Sequence, residues 1–275
     1  MSAIDKTFVK KSFNRHAQTY DQHASLQGAL GNTLLQFLNG SVCAAARILD
    51  IGMGTGIMTT RLAEKYPAAH IHGCDIATSM LAHARRKDVL CLRKDFFIAA
   101  DTEFLPYREK SFDLALSGCT FQWLDEKERA FREVFRVLKP GGRFLCSLFG
   151  EKTFAELKSS YDQACRETNY SRGEALALPW SEESVFSLFE SAGFIRCFAS
   201  TNLVREHYRS VKELMRSIKG MGAQNASLRR NKGLGMRALW ERMIAVYEHE
   251  FGLPDGRVPA TYEVIMAGGL KPPTH

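Results

Sequence analysis

The sequence predicts an α/β fold built on a mainly parallel sheet, and three observations carry the prediction. From Arg47 to Phe149, apolar runs of strand length alternate with segments of helical period. A glycine-rich stretch, Gly52-Met53-Gly54-Thr55-Gly56, separates the first strand from the helix after it. Pro67 and the run Lys139-Pro140-Gly141-Gly142 punctuate the pattern where elements should stop. Alternating strands and helices give right-handed crossovers, and hence parallel neighbours.

Each element follows from local pattern. Ahead of the sheet, Phe8, Val9, Phe13, Leu26, Leu30, Leu34, Leu35 and Leu38 recur at helical spacing, which predicts two or three helices within 1–46. Residues 47–150 form the core of the alternating pattern, where a cofactor is expected. Its strands are Arg47–Ile51, His70–Asp75, Phe96–Ala100, Phe112–Ser117 and Arg143–Phe149; its helices are Gly56–Tyr66, Ser79–Lys87 and Glu126–Leu138. Lys139–Gly142 reads as a turn. Helices over Lys152–Thr168 and Ser181–Ala192 and a long strand over Phe194–His207 occupy 151–208. A helical lid, Val211–Ile218 and Met236–Phe251 around a basic polar stretch, occupies 209–252, and a last strand, Tyr262–Leu270, lies within 253–275. All of this reads as one domain.

Composition narrows the class. A hydrophobic fraction of 45% allows a full core. No apolar run reaches the ~20 residues that span a bilayer, and the N-terminus has no apolar signal core, so a cytoplasmic protein without a membrane partner is expected. Seven cysteines without a C-x-x-C pair argue for reduced thiols over disulfides or zinc. A formal charge of +7 favours anionic partners mildly. No nucleic-acid partner is expected.

Ligands of open parallel sheets bind beyond the carboxyl ends of the strands, where the strand order reverses. That rule selects Gly52 to Gly56, Asp75, Asp101 and the segment after Ser117. Glycines admit close backbone approach, and a helix start offers free N–H donors. The dinucleotide pattern G-x-G-x-x-G fails, because Ile57 holds its last position. The plainer reading of the loop is a tight strand-to-helix turn. Asp75 ends the second strand about twenty residues past the loop, as a ribose-binding acid does; it also suits a helix N-cap. Asp101 can accept from an adenine amino group, or simply close an Asx turn. His70 and His72 share a strand face, but no third ligand accompanies them, and no metal site is expected. No nucleophile–base motif is evident.

Ile48-Leu49-Asp50-Ile51-Gly52-Met53-Gly54-Thr55-Gly56, Cys74-Asp75-Ile76 and Val137-Leu138-Lys139-Pro140-Gly141-Gly142 together resemble the class I methyltransferases. Further out, Ser12-Phe13-Asn14-Arg15-His16-Ala17-Gln18-Thr19-Tyr20-Asp21, Ser217-Ile218-Lys219-Gly220-Met221-Gly222-Ala223 and Pro259-Ala260-Thr261-Tyr262-Glu263-Val264 resemble the malonyl-acyl-carrier-protein O-methyltransferases of biotin synthesis. The resemblance implies a Rossmann-like, seven-stranded sheet with its last strand antiparallel and a helical lid. It implies S-adenosyl-L-methionine as cofactor, held by Asp50, Gly52, Gly54, Gly56, Asp75 and Asp101. It implies an acidic acyl carrier protein bearing a malonyl thioester, or malonyl-CoA, as partner and substrate. Another carboxyl or quinone-precursor methyltransferase, or a methyltransferase-like assembly factor of a respiratory complex, are the competing readings.

A malonyl carboxylate is ionised at neutral pH, so no general base is expected. Tyr20, Gln122 and Trp123 should border the methyl. A cation should grip one carboxylate oxygen and leave the other free; Arg216, Lys219 and Arg15 are the candidates, with a solvated lid surface as the plainer reading of the first two. Two basic clusters, Lys6, Lys10 and Lys11, and Arg229, Arg230 and Lys232, are candidate docks for an acidic carrier.

Overall fold

The computed structural model describes residues 4–38, 46–87, 96–170, 180–222 and 236–274. Three helices, α1 (Lys6–His16), α2 (Tyr20–His23) and α3 (Ser25–Gln36), precede the sheet. The core then runs β1 (Arg47–Ile51), α4 (Ile57–Lys65), β2 (His70–Asp75), α5 (Thr78–Ala84), β3 (Phe97–Ala99), β4 (Phe112–Gly118), α6 (Lys127–Val137) and β5 (Leu138–Phe149). It continues with α7 (Ala155–Glu167), α8 (Glu182–Ser191), β6 (Ile195–Tyr208), α9 (Val211–Gly220), α10 (Met236–Phe251) and β7 (Val258–Leu270).

The strands form one seven-stranded sheet in the order β3-β2-β1-β4-β5-β7-β6. β1 to β5 are mutually parallel, while β7 runs antiparallel to both its neighbours. The order reverses between β1 and β4, which opens the crevice where the rule for open sheets puts a ligand. The apolar side chains divide between the two faces of the sheet. On one, Leu34, Leu62 and Tyr247 pack over Ile48 and Leu116; on the other, Phe121, Phe131 and Phe189 pack over Phe144 and Ala115. α6 shows why its sequence is helical: Ala130, Phe131, Val134 and Val137 fall on one buried face.

The largest boundary differences from the sequence reading are in β5 and β7, while α5 stops three residues early at Ala84 and α7 starts three residues late at Ala155. β5 begins at Leu138, so Lys139-Pro140-Gly141-Gly142 lies within the strand. The run is a bulge: β4 pairs Phe112 with Leu138 and then Leu114 with Arg143. Gly141 takes φ +76°, and its N–H donates to Lys271 O at 3.0 Å. β7 begins at Val258, four residues before Tyr262, because the long β6 pairs with it back to Tyr208↔Val258. Among the described residues, no helix is long and apolar enough to cross a membrane.

Candidate active site

Beyond β1 the chain makes a tight, left-handed path: Gly52, Gly54 and Gly56 have φ of +67°, +56° and +80°. A Cβ on Gly52 would overlap Thr120, whereas at Gly54 it would meet nothing within 4 Å. The first glycine thus permits packing against the β4 loop, and the second leaves open space above the turn. Thr120 fastens this junction, donating to Gly52 O and Gly118 O at 3.3 Å.

Asp75, at the end of β2, accepts from Gly54 N at 2.9 Å and from Ala77 N at 2.7 Å. One carboxylate therefore orders both the glycine turn and the approach to α5. Burial pushes its pKa up to about 6, against those two hydrogen bonds. Asp50 is fully buried; Oδ2 accepts from Thr59 Oγ1 at 2.5 Å, and Oδ1 has no hydrogen-bond partner. Burial pushes its pKa up to about 7, with the Asp75 charge adding to the rise.

Three cavities meet here, of about 670, 460 and 510 Å³. The first lies between Gly52, Gly54, Asp75, Asp101 and Trp123; the second runs behind the turn past Asp50, Thr55 and Arg61. The third is walled by Phe149, Phe154, Met221 and Tyr262, with Gln122 and Trp123 at one side. Tyr20 lines all three. Its ring meets Phe13 edge-on at 6.3 Å, and Phe13 meets Trp123 at 5.8 Å. Burial raises the Tyr20 phenol well above its usual range, so it stays neutral.

The N-terminal helices are tied down over this junction. Asn14 Oδ1 accepts from Ser79 N at 2.7 Å; Asp21 accepts from Thr55 Oγ1 at 2.5 Å and pairs with Lys87 at 2.9 Å. Lys6 pairs with Asp101 at 2.7 Å and with Glu103. Burial works against the Lys6 ammonium, but these carboxylates outweigh it and raise its pKa. Lys6 is consequently an internal tether, and the docking cluster read from the sequence keeps only Lys10 and Lys11 as exposed members. Asp101 also closes its Asx turn, accepting from Glu103 N at 3.0 Å.

The structure gathers Asp50, Gly52, Gly54, Asp75, Asp101, Tyr20, Gln122 and Trp123 around the cavities, whereas Gly56 lines none of them and packs its Cα face against Ala84 and Met53. The structure does not bring in the cations: Arg15 on α1 and Arg216 and Lys219 on α9 are exposed and line none of the three. The sequence motif around Lys219 has a different local role. Gly220 lets α9 press on His23, and Gly222, at φ +73°, sits against Ser12 and Phe13. Ser12 Oγ donates to Gly222 O at 3.0 Å. Those glycines dock the lid helix onto α1 and α2 and deliver Met221 to the third cavity. Arg229, Arg230 and Lys232 lie outside the described residues. His72 stacks on Phe96 at 4.2 Å, and burial lowers its pKa to about 4, leaving a neutral ring among aromatics.

Sequence reasoning missed Arg61, Gln27, Cys119, Met221 and Tyr262 as lining residues. Cys119 carried a signal, since it falls in the segment after Ser117 flagged by the switch-point rule; Met221 and Tyr262 lay inside the motifs of the resemblance, while Arg61 and Gln27 had none. Cys119 adopts φ +53°.

The model of a methyltransferase domain matches residues 49–146. The malonyl-acyl-carrier-protein O-methyltransferase of Geobacter sulfurreducens is 38% identical over 98% of this chain and all of its own length. The chain belongs to the malonyl-acyl-carrier-protein O-methyltransferase family. The Bacillus anthracis member of that family is 32% identical, with 96% of each chain covered. The biotin biosynthesis bifunctional protein BioHC of Teredinibacter turnerae is 34% identical over 97% of this chain, which spans 47% of that protein. Solved structures share the fold at low identity. Phosphoethanolamine N-methyltransferase 2 of Haemonchus contortus, in complex with S-adenosyl-L-methionine, is 17% identical at TM-score 0.57, covering 94% of this chain and 57% of its own. The cyclase SpnF is 20% identical at TM-score 0.53, covering 90% and 81%. A cyclase on the same scaffold shows that the sheet alone does not fix the reaction.

Proposed function

We propose that this methyltransferase esterifies the free carboxylate of a malonyl thioester carried by an acyl carrier protein. S-Adenosyl-L-methionine is the methyl donor, and it supplies a methyl group on a positively charged sulfur. The observation that carries the reading is the pairing of cavities around Tyr20, a charged one fitted to that donor and an apolar one beside it, in a chain related end to end to carrier-protein methyltransferases.

The residues present fit the donor. Asp50 lines the second cavity, and its Oδ1, without a hydrogen-bond partner, is an unused acceptor suited to an ammonium. Arg61 lines the same cavity, spending one N–H on Gly28 O, and suits a carboxylate. Together they match the two charges of an amino-acid end. Asp75 keeps lone pairs for a pair of ribose hydroxyls. Asp101 and Lys6 border the far end of the first cavity, where an adenine would lie. Gly54 contributes open space.

The chemistry needs no proton moved by the protein. With the donor bound, a carboxylate oxygen would form the new bond to the methyl carbon as the carbon–sulfur bond gave up its pair to sulfur. What the chain must supply is alignment and dryness. Phe13, Tyr20 and Trp123 stand between the first and third cavities and exclude water from the line of transfer. Arg15, Arg216 and Lys219, lying outside the cavities on the two helices that clasp each other, suit a rim where the carrier docks.

The test is direct. Purified protein incubated with S-adenosyl-L-methionine and malonyl-carrier protein should give a carrier heavier by one methyl group, as an ester removed by mild alkali. Acetyl-carrier protein should stay unmodified. Alkali-stable methylation, or transfer only to a quinone precursor, would overturn the proposal.

A further inference from the structure

Every polar group lining the third cavity can be accounted for, and the account leaves a short remainder. Thr153 Oγ1 donates to Glu263 O at 3.2 Å and accepts from Glu263 N at 3.1 Å. Tyr262 shares its hydroxyl with Tyr208 at 2.8 Å. Gln27 Nε2 points to Met221 Sδ at 3.1 Å, and Cys119 Sγ to Ser147 Oγ at 3.8 Å. Two amide oxygens remain buried without a partner, Gln27 Oε1 and Gln122 Oε1. Gln27 is held through its Nε2, whereas Gln122, 4% exposed, makes no side-chain hydrogen bond at all among the described residues. The Tyr20 hydroxyl and the Trp123 indole N–H, both lining the cavity, likewise make no side-chain hydrogen bond among the described residues. No cationic or anionic side chain lines this cavity among the described residues.

With no hydrogen bond fixing its orientation, the Gln122 amide can turn its N–H toward an acceptor, and a buried amide is costly unless a ligand completes it. Gln122 sits in the short turn Phe121–Trp123, between Cys119 and Trp123, both of which border the first cavity too. It therefore stands where an acceptor would meet the methyl.

We propose that Gln122 holds the acceptor carboxylate by a neutral amide hydrogen bond, with the Tyr20 hydroxyl beside it, and so sets selectivity for a carboxylate without a cation. The inference rests on the malonyl reading and names the group that recognises its carboxylate. The chemistry explains why a neutral donor suits the task. Transfer joins an anion to a cationic donor and erases both charges as the bond forms. A guanidinium at the carboxylate would stabilise the starting anion more than the transition state, and would slow the step. A neutral amide orients the anion and leaves its charge to be lost. An acetyl thioester would leave the buried amide unpaired, and a site built to hydrogen-bond discriminates strongly against such an analogue.

The test uses initial rates with malonyl-carrier protein, and calorimetry with S-adenosyl-L-methionine as the control for an intact cofactor cleft. Gln122→Leu should raise KM for the malonyl carrier by about tenfold, the worth of one such bond, with cofactor affinity within about twofold of wild type. Gln122→Asn keeps an amide and should recover part of that loss. Gln122→Lys installs a cation: KM should fall or hold, and kcat should drop by about tenfold. A merely structural role would not split KM and kcat in opposite senses between the two variants. Should Gln122→Leu fail to fold, the Asn and Lys variants decide. Unchanged kcat/KM in Gln122→Leu, or a faster Gln122→Lys, overturns the assignment while leaving the malonyl reading intact. A wild-type enzyme that methylates no malonyl thioester overturns both.

Discussion

Among the described residues, five acidic or basic side chains, Lys6, Asp50, Arg61, Asp75 and Asp101, line the half of the cleft proposed for the cofactor, while the half proposed for the acceptor, across Tyr20, offers only aromatic, thioether, thiol, amide and hydroxyl groups. The contrast follows from what each half must handle. A donor with an ammonium, a carboxylate and ribose hydroxyls keeps those groups throughout the reaction, so fixed charges of opposite sign can hold it without slowing anything. An acceptor anion must surrender its charge, and a chamber poor in charge favours that loss. The two halves also differ in how they are built: the donor half centres on one contiguous turn and the ends of adjacent strands, closed over by the helices that carry Lys6, Tyr20 and Arg61, while the acceptor half comes from segments as distant as Phe13, Gln122, Phe154, Met221 and Tyr262.

The comparison breaks first if the donor half tolerates a side chain in its turn. Gly54 has φ +56° and open space around its missing Cβ. Gly54→Val should cost ~1–2 kcal/mol of stability for the left-handed backbone. It should also weaken S-adenosyl-L-methionine by roughly a hundredfold or more, about 2.7 kcal/mol, because the side chain projects into the ligand's space. Calorimetry beside a thermal melt separates the two effects. A folded variant with near-normal affinity would put the cofactor elsewhere.

Asp75→Ala is the next largest. The carboxylate holds Gly54 N and Ala77 N, and removing it loosens the turn as well as removing acceptors for the ribose. With charged hydrogen bonds worth ~1.5–3 kcal/mol each, a loss of about tenfold or more in cofactor affinity is expected. Asp75→Asn, which keeps one acceptor oxygen, should lose less. Equal affinities for both variants and wild type, in titrations of folded protein, would remove Asp75 from the site.

How much of each half was legible in the sequence follows from the same contrast. Gly52, Gly54, Gly56 and Asp75 lie within one strand–turn–helix–strand unit, so spacing alone positions them. Arg61 was not legible, because an arginine one turn into an amphipathic helix has no pattern that separates lining from solvent; only the approach of α3 at Gly28 puts it in the cavity. The acceptor half needed tertiary information throughout. Gly220 and Gly222 were singled out as a motif, but their role is to let α9 press on α1 and α2, which no local rule reveals. The expectation that a cation would grip one carboxylate oxygen and leave the other free came from pairing opposite charges, and no local pattern shows whether Arg15, Arg216 or Lys219 reaches a cavity; the structure places all three outside those described. The Lys139–Gly142 bulge was read as a turn because Pro and Gly mark turns and bulges alike.

A pH series sharpens the electrostatic side of the comparison. Burial pushes Asp50 up to about 7 and Asp75 up to about 6. Both are raised above their ordinary range, so folding favours their protonated forms. Apo-protein stability should therefore fall as pH rises from about 4 through 7, and level off above. Cofactor affinity should run the other way, since the ammonium and the ribose hydroxyls want carboxylates: between pH 8 and 6 it should drop by about tenfold, with proton release on binding near neutrality. Asp50→Asn should remove the step near 7 and leave the one near 6. Melts and calorimetry in buffers of different ionisation heat check both signs. Stability and affinity that move together with pH would mean the carboxylates do not face the ligand.

The smallest effect expected concerns the rim. Arg15 on α1 and Arg216 and Lys219 on α9 are exposed, outside the cavities, on helices whose ends clasp through Ser12 and Gly222. If their task is to receive an acidic carrier, they act on encounter and not on the chemical step, and solvent-exposed charges are screened by salt. Reversing Arg216 and Lys219 to glutamate should then lower kcat/KM for malonyl-carrier protein several-fold at low salt, with the deficit shrinking as salt is added. Malonyl-CoA, which lacks the protein surface, should respond less. Cofactor affinity should not change, because neither side chain lines the donor cavities. A loss of kcat with both acceptors, insensitive to salt, would instead return these cations to the carboxylate. It would also erase the contrast between a charged donor half and an uncharged acceptor half. Stopped-flow association with fluorescently labelled carrier at two ionic strengths gives the most direct reading, since it reports the encounter rate without turnover.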